Sequence, residues 1–211
     1  MDALLLDLED GKPDPADVLP PTPANAVARV GDLFCLGAHR LLVGDARRLD
    51  SYERLMRGER AAMAVLDPPF NVKVQGHVGG RGRIKHREFV CASGEMSAEE
   101  FTAFLTESLG LCADYSTDGA IHFVFMDWRH MGELLAAGEA VYSELKNLCV
   151  WTKSNAGQGS FYRSQHELVF VFKHGTAPHL NTFELGQHGR TAAMFGPMRG
   201  STASGRGGST S

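Results

Sequence analysis

The sequence predicts an α/β fold, a sheet with helices on both faces, and three observations carry that prediction. Short apolar runs of buried-strand type recur at residues 63–66, 121–125, 148–151 and 167–172. Helical stretches lie between them, one opening at residue 97 and one over 129–139. The chain has 211 residues, 43% of them apolar, which suffices for one domain with a real core. Strands alternating with helices argue a mostly parallel sheet.

Residues 1–26 are acidic and proline-rich (Asp14, Pro15, Pro20, Pro21, Pro23) and read as a leader or linker; the ordered part is expected to begin near Val30. Residues 34–37 and 40–45 look like two short strands turning at Gly37-Ala38-His39. Residues 48–57 suit a short helix ahead of the strand at 63–66. Ser97-Ala98-Glu99-Glu100 is a capping box, and the helix it opens carries Phe101, Phe104, Leu105 and Leu109 at core-face spacing.

Composition excludes several function classes. A net charge of −4 is not that of a basic nucleic-acid coat. Cys35, Cys91, Cys112 and Cys149 form no C-x-x-C pair, which argues against a zinc ribbon or a disulfide scaffold and fits a reducing cytoplasm. The nine histidines show no metal-ligand spacing; the nearest pair, His174 and His179, reads as loop residues, so no metal is expected. No apolar run approaches ~20 residues and no basic n-region opens the chain, so neither a membrane span nor a signal peptide is expected.

The most informative stretch is Leu66-Asp67-Pro68-Pro69-Phe70. The apolar run before it places Asp67 at the carboxyl end of a strand, where open α/β sheets bind ligands. Proline fixes φ and pushes the residue before it toward extended backbone, so Pro68 and Pro69 hold the Pro68 carbonyl in one direction. The plainer reading is a strand-to-turn exit, because Asp and Pro favour turns. Residues 71–93 follow with Gly76, Gly79, Gly80 and Gly82 among Lys73, Arg81, Arg83, Lys85, His86 and Arg87. That composition suits a phosphate-contacting DNA loop, and equally a solvated surface loop.

The tetrapeptide resembles the Asp-Pro-Pro-aromatic motif of DNA amino-methyltransferases. Further segments are similar to the bacterial and phage N4/N6 enzymes often fused behind a ParB-like nuclease domain: residues 31–33, 36–42, 44–46, 127–130, 150–153 and 159–167. The resemblance covers residues 30–190. It implies a Rossmann-like methyltransferase sheet, S-adenosylmethionine as methyl donor, base flipping in double-stranded DNA, and restriction-modification work in the cytoplasm. It implies that Asp67 and the Pro68 carbonyl each accept one N–H of the target amino group, drawing its nitrogen toward tetrahedral geometry and freeing its lone pair. Pro69 belongs to the same catalytic motif, and Phe70 offers a face for the extruded base. Phe161 and Tyr162 match a motif lining the base pocket, with core packing as the alternative. Arg163 and His166 would orient that pocket or meet DNA. Asp45, with Asp67, is a candidate donor contact, and Asp127 and Trp128 read equally well as structural strand-end residues. An aromatic after Asp-Pro-Pro favours adenine N6, since cytosine N4 enzymes more often carry Ser in front.

One family feature is missing. The glycine-rich donor loop of Phe-x-Gly-x-Gly type does not occur, and residues 191–211 form a low-complexity Gly/Ser/Thr/Arg tail. Codons permitted for residues 191–207, read one base out of register, can spell a family-like continuation. The expectation is a frameshift near Arg190, which the gene's nucleotide sequence decides. Two further readings remain: an inactive, truncated remnant with weak DNA binding, and an enzyme acting on RNA or a protein amide, against which the Asp at position 67 counts.

Overall fold

The computed structural model describes residues 27–73, 91–152 and 164–180. A small antiparallel hairpin comes first, β1 (Leu33–Leu36) and β2 (His39–Leu42). Its two-residue turn has Gly37 at φ 64, a positive first loop position that glycine adopts without strain. Arg40 ties the hairpin to the end of α1 (Leu49–Met56), donating to the Met56 carbonyl at 3.3 Å and to Glu59.

The main sheet has four strands in the order β3 (Ala61–Leu66), β4 (Ser116–Met126), β6 (His166–Lys173), β5 (Glu144–Thr152). β3 and β4 pair in parallel, whereas β6 is antiparallel to both of its neighbours. The fold is therefore α/β as the sequence predicts, but its sheet is mixed. β3, β4 and β5 share one direction, and β6 slots between β4 and β5 with the opposite one. The expectation of a mostly parallel sheet fails at the pairings of β6. Apolar alternation marks a strand without giving its direction, and a last strand placed between two earlier ones is a long-range choice.

Two helices make the crossovers, α2 (Ala98–Asp114) between β3 and β4 and α3 (Met131–Val141) between β4 and β5. The capping box of α2 is formed: the Ser97 Oγ accepts from the Glu100 N–H at 3.2 Å, and the Ser97 N–H donates to the Glu100 carboxylate at 2.8 Å. Its face of Phe101, Leu105 and Leu109 is buried, as the spacing predicts. Asp127 caps the short turn Trp128–His130 ahead of α3, accepting from the Arg129 N–H at 2.9 Å, so the helix expected from 129 begins two residues later.

Among the described residues α2 and α3 share one core with one face of the sheet, made by Val124, Met126, Leu168, Phe170 and Phe172. Within it runs a polar chain. Ser116 Oγ donates to the Cys112 carbonyl at 2.8 Å, which leaves its oxygen to accept from His122 Nε2–H at 2.9 Å. His122 Nδ1 then accepts from the Tyr142 hydroxyl at 2.9 Å. Burial, with His174 nearby, pushes His122 down to about 4, so the ring is neutral at physiological pH. The opposite face is bare at the edge strand, where Met63 and Val65 are 59% and 61% exposed. No described helix is long and apolar enough to cross a membrane.

Candidate active site

The mixed sheet gathers the chemistry on one edge. The carboxyl ends of β3, β4 and β5 lie there beside the amino end of β6. Asp67 follows β3, Asp127 follows β4, and His166 pairs with Thr152 at the margin of β6 and β5. Asp67 is exposed, whereas Pro68, Pro69 and Phe70 are half-buried, and Phe70 packs against the core. The tetrapeptide thus has a fixed apolar side and a wet carboxylate, which suits holding a polar group above a stacking surface.

Neighbouring groups on this edge are committed. Arg129 pairs with Asp127 through 3.1 Å contacts to both carboxylate oxygens and lies 4.7 Å from the centre of the Trp128 ring. Asp127 and Trp128 therefore act as a structural strand end. Phe125 and Trp151 meet edge to face at 5.4 Å between ring centres. His166 is exposed and borders an open groove of about 520 Å³ with Val150, Thr152 and Gln165. Asp45 lies in the loop before α1, where the Arg47 side chain donates to its two oxygens at 3.1 and 2.8 Å. That hydrogen bonding holds the Asp45 carboxyl below the usual carboxylate range. The Arg47 guanidinium also lies over the Phe104 ring at 5.1 Å.

Of the predicted DNA contacts, Lys73 is described and exposed. Arg81, Arg83, Lys85 and Arg87 lie outside the described residues, as do the predicted base-pocket residues Phe161, Tyr162 and Arg163. Among the described residues no group of three or more His, Cys, Asp or Glu could hold a metal ion.

Sequence reading missed Asn71, the residue after the tetrapeptide. It is 6% exposed and sits at φ 51, in left-handed backbone. Its Oδ1 accepts from the Gly94 and Met96 N–H groups at 2.9 and 3.3 Å, and its Nδ2 donates to the Met96 carbonyl at 2.9 Å. Nothing local signals this, because the partners lie more than twenty residues away.

The fit to a methyl donor is partial. Asp67 supplies an exposed carboxylate at the strand end, whereas Asp45 has its charge matched by Arg47. The described residues favour the acceptor side of a transfer over the donor side.

A family model described as DNA methylase, N6_N4_Mtase, matches residues 61–192. No protein of curated function matches. Among solved structures the chain is similar to M1.HpyAVI, at 12% identity and TM-score 0.40 over 62% of this chain and 52% of that one. The M1.HpyAVI-SAM complex gives 12% and 0.38 over 61% and 49%. TTHA0409, titled a DNA modification methylase from Thermus thermophilus, gives 12% and 0.39 over 71% and 58%. These likenesses are too distant to carry an argument, and the chain spans only about half to three-fifths of each structure's length.

Proposed function

From a chain that belongs to the DNA methylase family N6_N4_Mtase, we propose transfer of a methyl group from S-adenosylmethionine to the exocyclic N6 of adenine in double-stranded DNA. The observation that carries this is the tetrapeptide: Asp67 exposed at the carboxyl end of β3, two prolines behind it, and Phe70 half-buried against the core. The donor supplies an electrophilic methyl group on a cationic sulfur. Asp67 and the Pro68 carbonyl accept the two N–H bonds of an extruded adenine, and Phe70 stacks on its ring. A bond forms from N6 to the methyl carbon while the carbon–sulfur bond breaks, leaving a neutral thioether. The amino nitrogen then loses one proton to Asp67 or to water, so Asp67 need not be a strong base. Asp45 and Asp67 are the proposed donor contacts. His166, with Phe161, Tyr162 and Arg163, forms the proposed base pocket, and Lys73, Arg81, Arg83, Lys85 and Arg87 meet phosphates. The aromatic at position 70 behind Asp-Pro-Pro supports N6 over cytosine N4.

A second reading, an inactive remnant with weak DNA binding, is favoured by the exposed apolar side of edge strand β3 at Met63 and Val65 and by the missing glycine-rich donor motif. Incubation with labelled S-adenosylmethionine and mixed-sequence duplex DNA, followed by nucleoside analysis, separates the two. Labelled N6-methyladenine is expected. Labelled N4-methylcytosine would move the target base, and folded protein that binds no donor would establish the remnant.

A further inference from the structure

We propose that Asn71 is a positioning residue for the tetrapeptide, fixing the Phe70 ring and the Pro68 carbonyl by clamping the chain just after them to residues 94–96. The inference rests on the methyl-transfer reading for its effect on rate, but not for the geometry itself.

The clamp is built from unusual backbone on both sides. Asn71 and Ala92 are non-glycine residues in left-handed conformation, at φ 51 and φ 54, and Gly94 joins them at φ 91. Such residues persist only where their surroundings over-determine them. Here the surroundings are explicit. The Asn71 carboxamide makes three bonds to the backbone of Gly94 and Met96. Glu95 closes the other half, its two oxygens accepting from the Ala92 and Ser93 N–H groups at 2.5 and 2.6 Å. Ala92 is fully buried, and Met96 and Phe70 pack against the same core. A side chain at 94 would press on Lys73, 3.1 Å from its Cγ and 3.3 Å from its backbone nitrogen.

The chain therefore leaves the tetrapeptide through Asn71 and Lys73 and re-enters at Cys91 against the same residues. Two prolines stiffen the tetrapeptide from within, but they do not fix where its far end points. Asn71 does, one residue beyond Phe70. A ring released there loses the orientation on which stacking and in-line attack depend, and a misplacement of about 1 Å can cost about a hundredfold in rate.

The test uses Asn71→Gly, because glycine keeps the left-handed backbone at no steric cost and removes only the carboxamide. Two readouts are taken on the full chain. One is methyl transfer to duplex DNA, with kcat and the KM for S-adenosylmethionine measured separately. The other is the ¹⁹F resonance of 4-fluorophenylalanine placed at position 70. Asn71→Gly is expected to lower kcat at least about tenfold with KM for the donor within about twofold, and to move the fluorine signal toward its unfolded-chain position while circular dichroism holds. Asn71→Asp keeps the two accepted bonds and should recover part of both readouts. Unchanged kcat or an unmoved fluorine signal in Asn71→Gly overturns the proposal, and if that variant does not fold, unchanged values in Asn71→Asp do so. If the wild type transfers nothing, the methyl-transfer reading fails by itself and the fluorine signal still decides the clamp.

Discussion

The two faces of the four-stranded sheet differ more than any other pair of surfaces in the molecule. On one, Val124, Met126, Phe170 and Phe172 meet Phe101, Leu105, Leu109 and Leu134 from two helices, all nearly inaccessible to water. On the other, Met63 and Val65 of β3 stand more than half exposed and Trp151 of β5 nearly so. Stability is therefore concentrated on the helix-covered face. The candidate site uses the rim where the two faces meet: Phe70 reaches the covered side while Asp67 faces water.

Truncations should expose that asymmetry. Phe101→Ala empties a fully buried site and should cost about 3–5 kcal/mol in urea unfolding. A cost below about 1 kcal/mol would mean the core is looser than its burial suggests. Gly138→Ala comes next. Gly138 of α3 lies against the Phe172 ring, so a methyl group there must displace the helix or the ring, at about 1–3 kcal/mol. At the other extreme, Met63→Ser on the bare face should change stability by no more than about 0.5 kcal/mol and should reduce self-association in light scattering.

The covered face also sets a pH dependence of intermediate size. The His122 ring takes a proton at 6.5 in an unfolded chain but at about 4 when folded. Acid therefore favours the unfolded chain. The contribution is fully present above about pH 6.5 and is lost as pH falls toward 4, by about 3 kcal/mol in all. His122→Gln should flatten that part of the stability profile. A variant that keeps the full slope would place the titration elsewhere.

The sequence was most legible where its causes are local. The capping box at Ser97 and Glu100 and the buried stripe of α2 follow from spacing alone, and both form as expected. Asp67 at a strand end was readable for the same reason: an apolar run stops at a residue followed by two prolines. Three features were not readable. The insertion of β6 between β4 and β5 is a pairing across the whole domain. The Asn71 clamp joins segments separated by the glycine-rich stretch, and a lone Asn after Phe70 carries no sign of it. His122 sits in an apolar strand pattern that gives no hint of its partners Ser116 and Tyr142, one ahead of it in β4 and one beyond α3.

The central claim is that the Asp67 carboxylate at the rim of the sheet holds the amino group that is methylated. The direct measurement is label transfer from S-adenosylmethionine to duplex DNA by wild type and by Asp67→Ala, with circular dichroism confirming that both are folded. The account predicts transfer by the wild type and a loss of at least about a hundredfold in the variant, because the exposed position at residue 67 lets the fold survive the substitution. Equal transfer by the two proteins would contradict it.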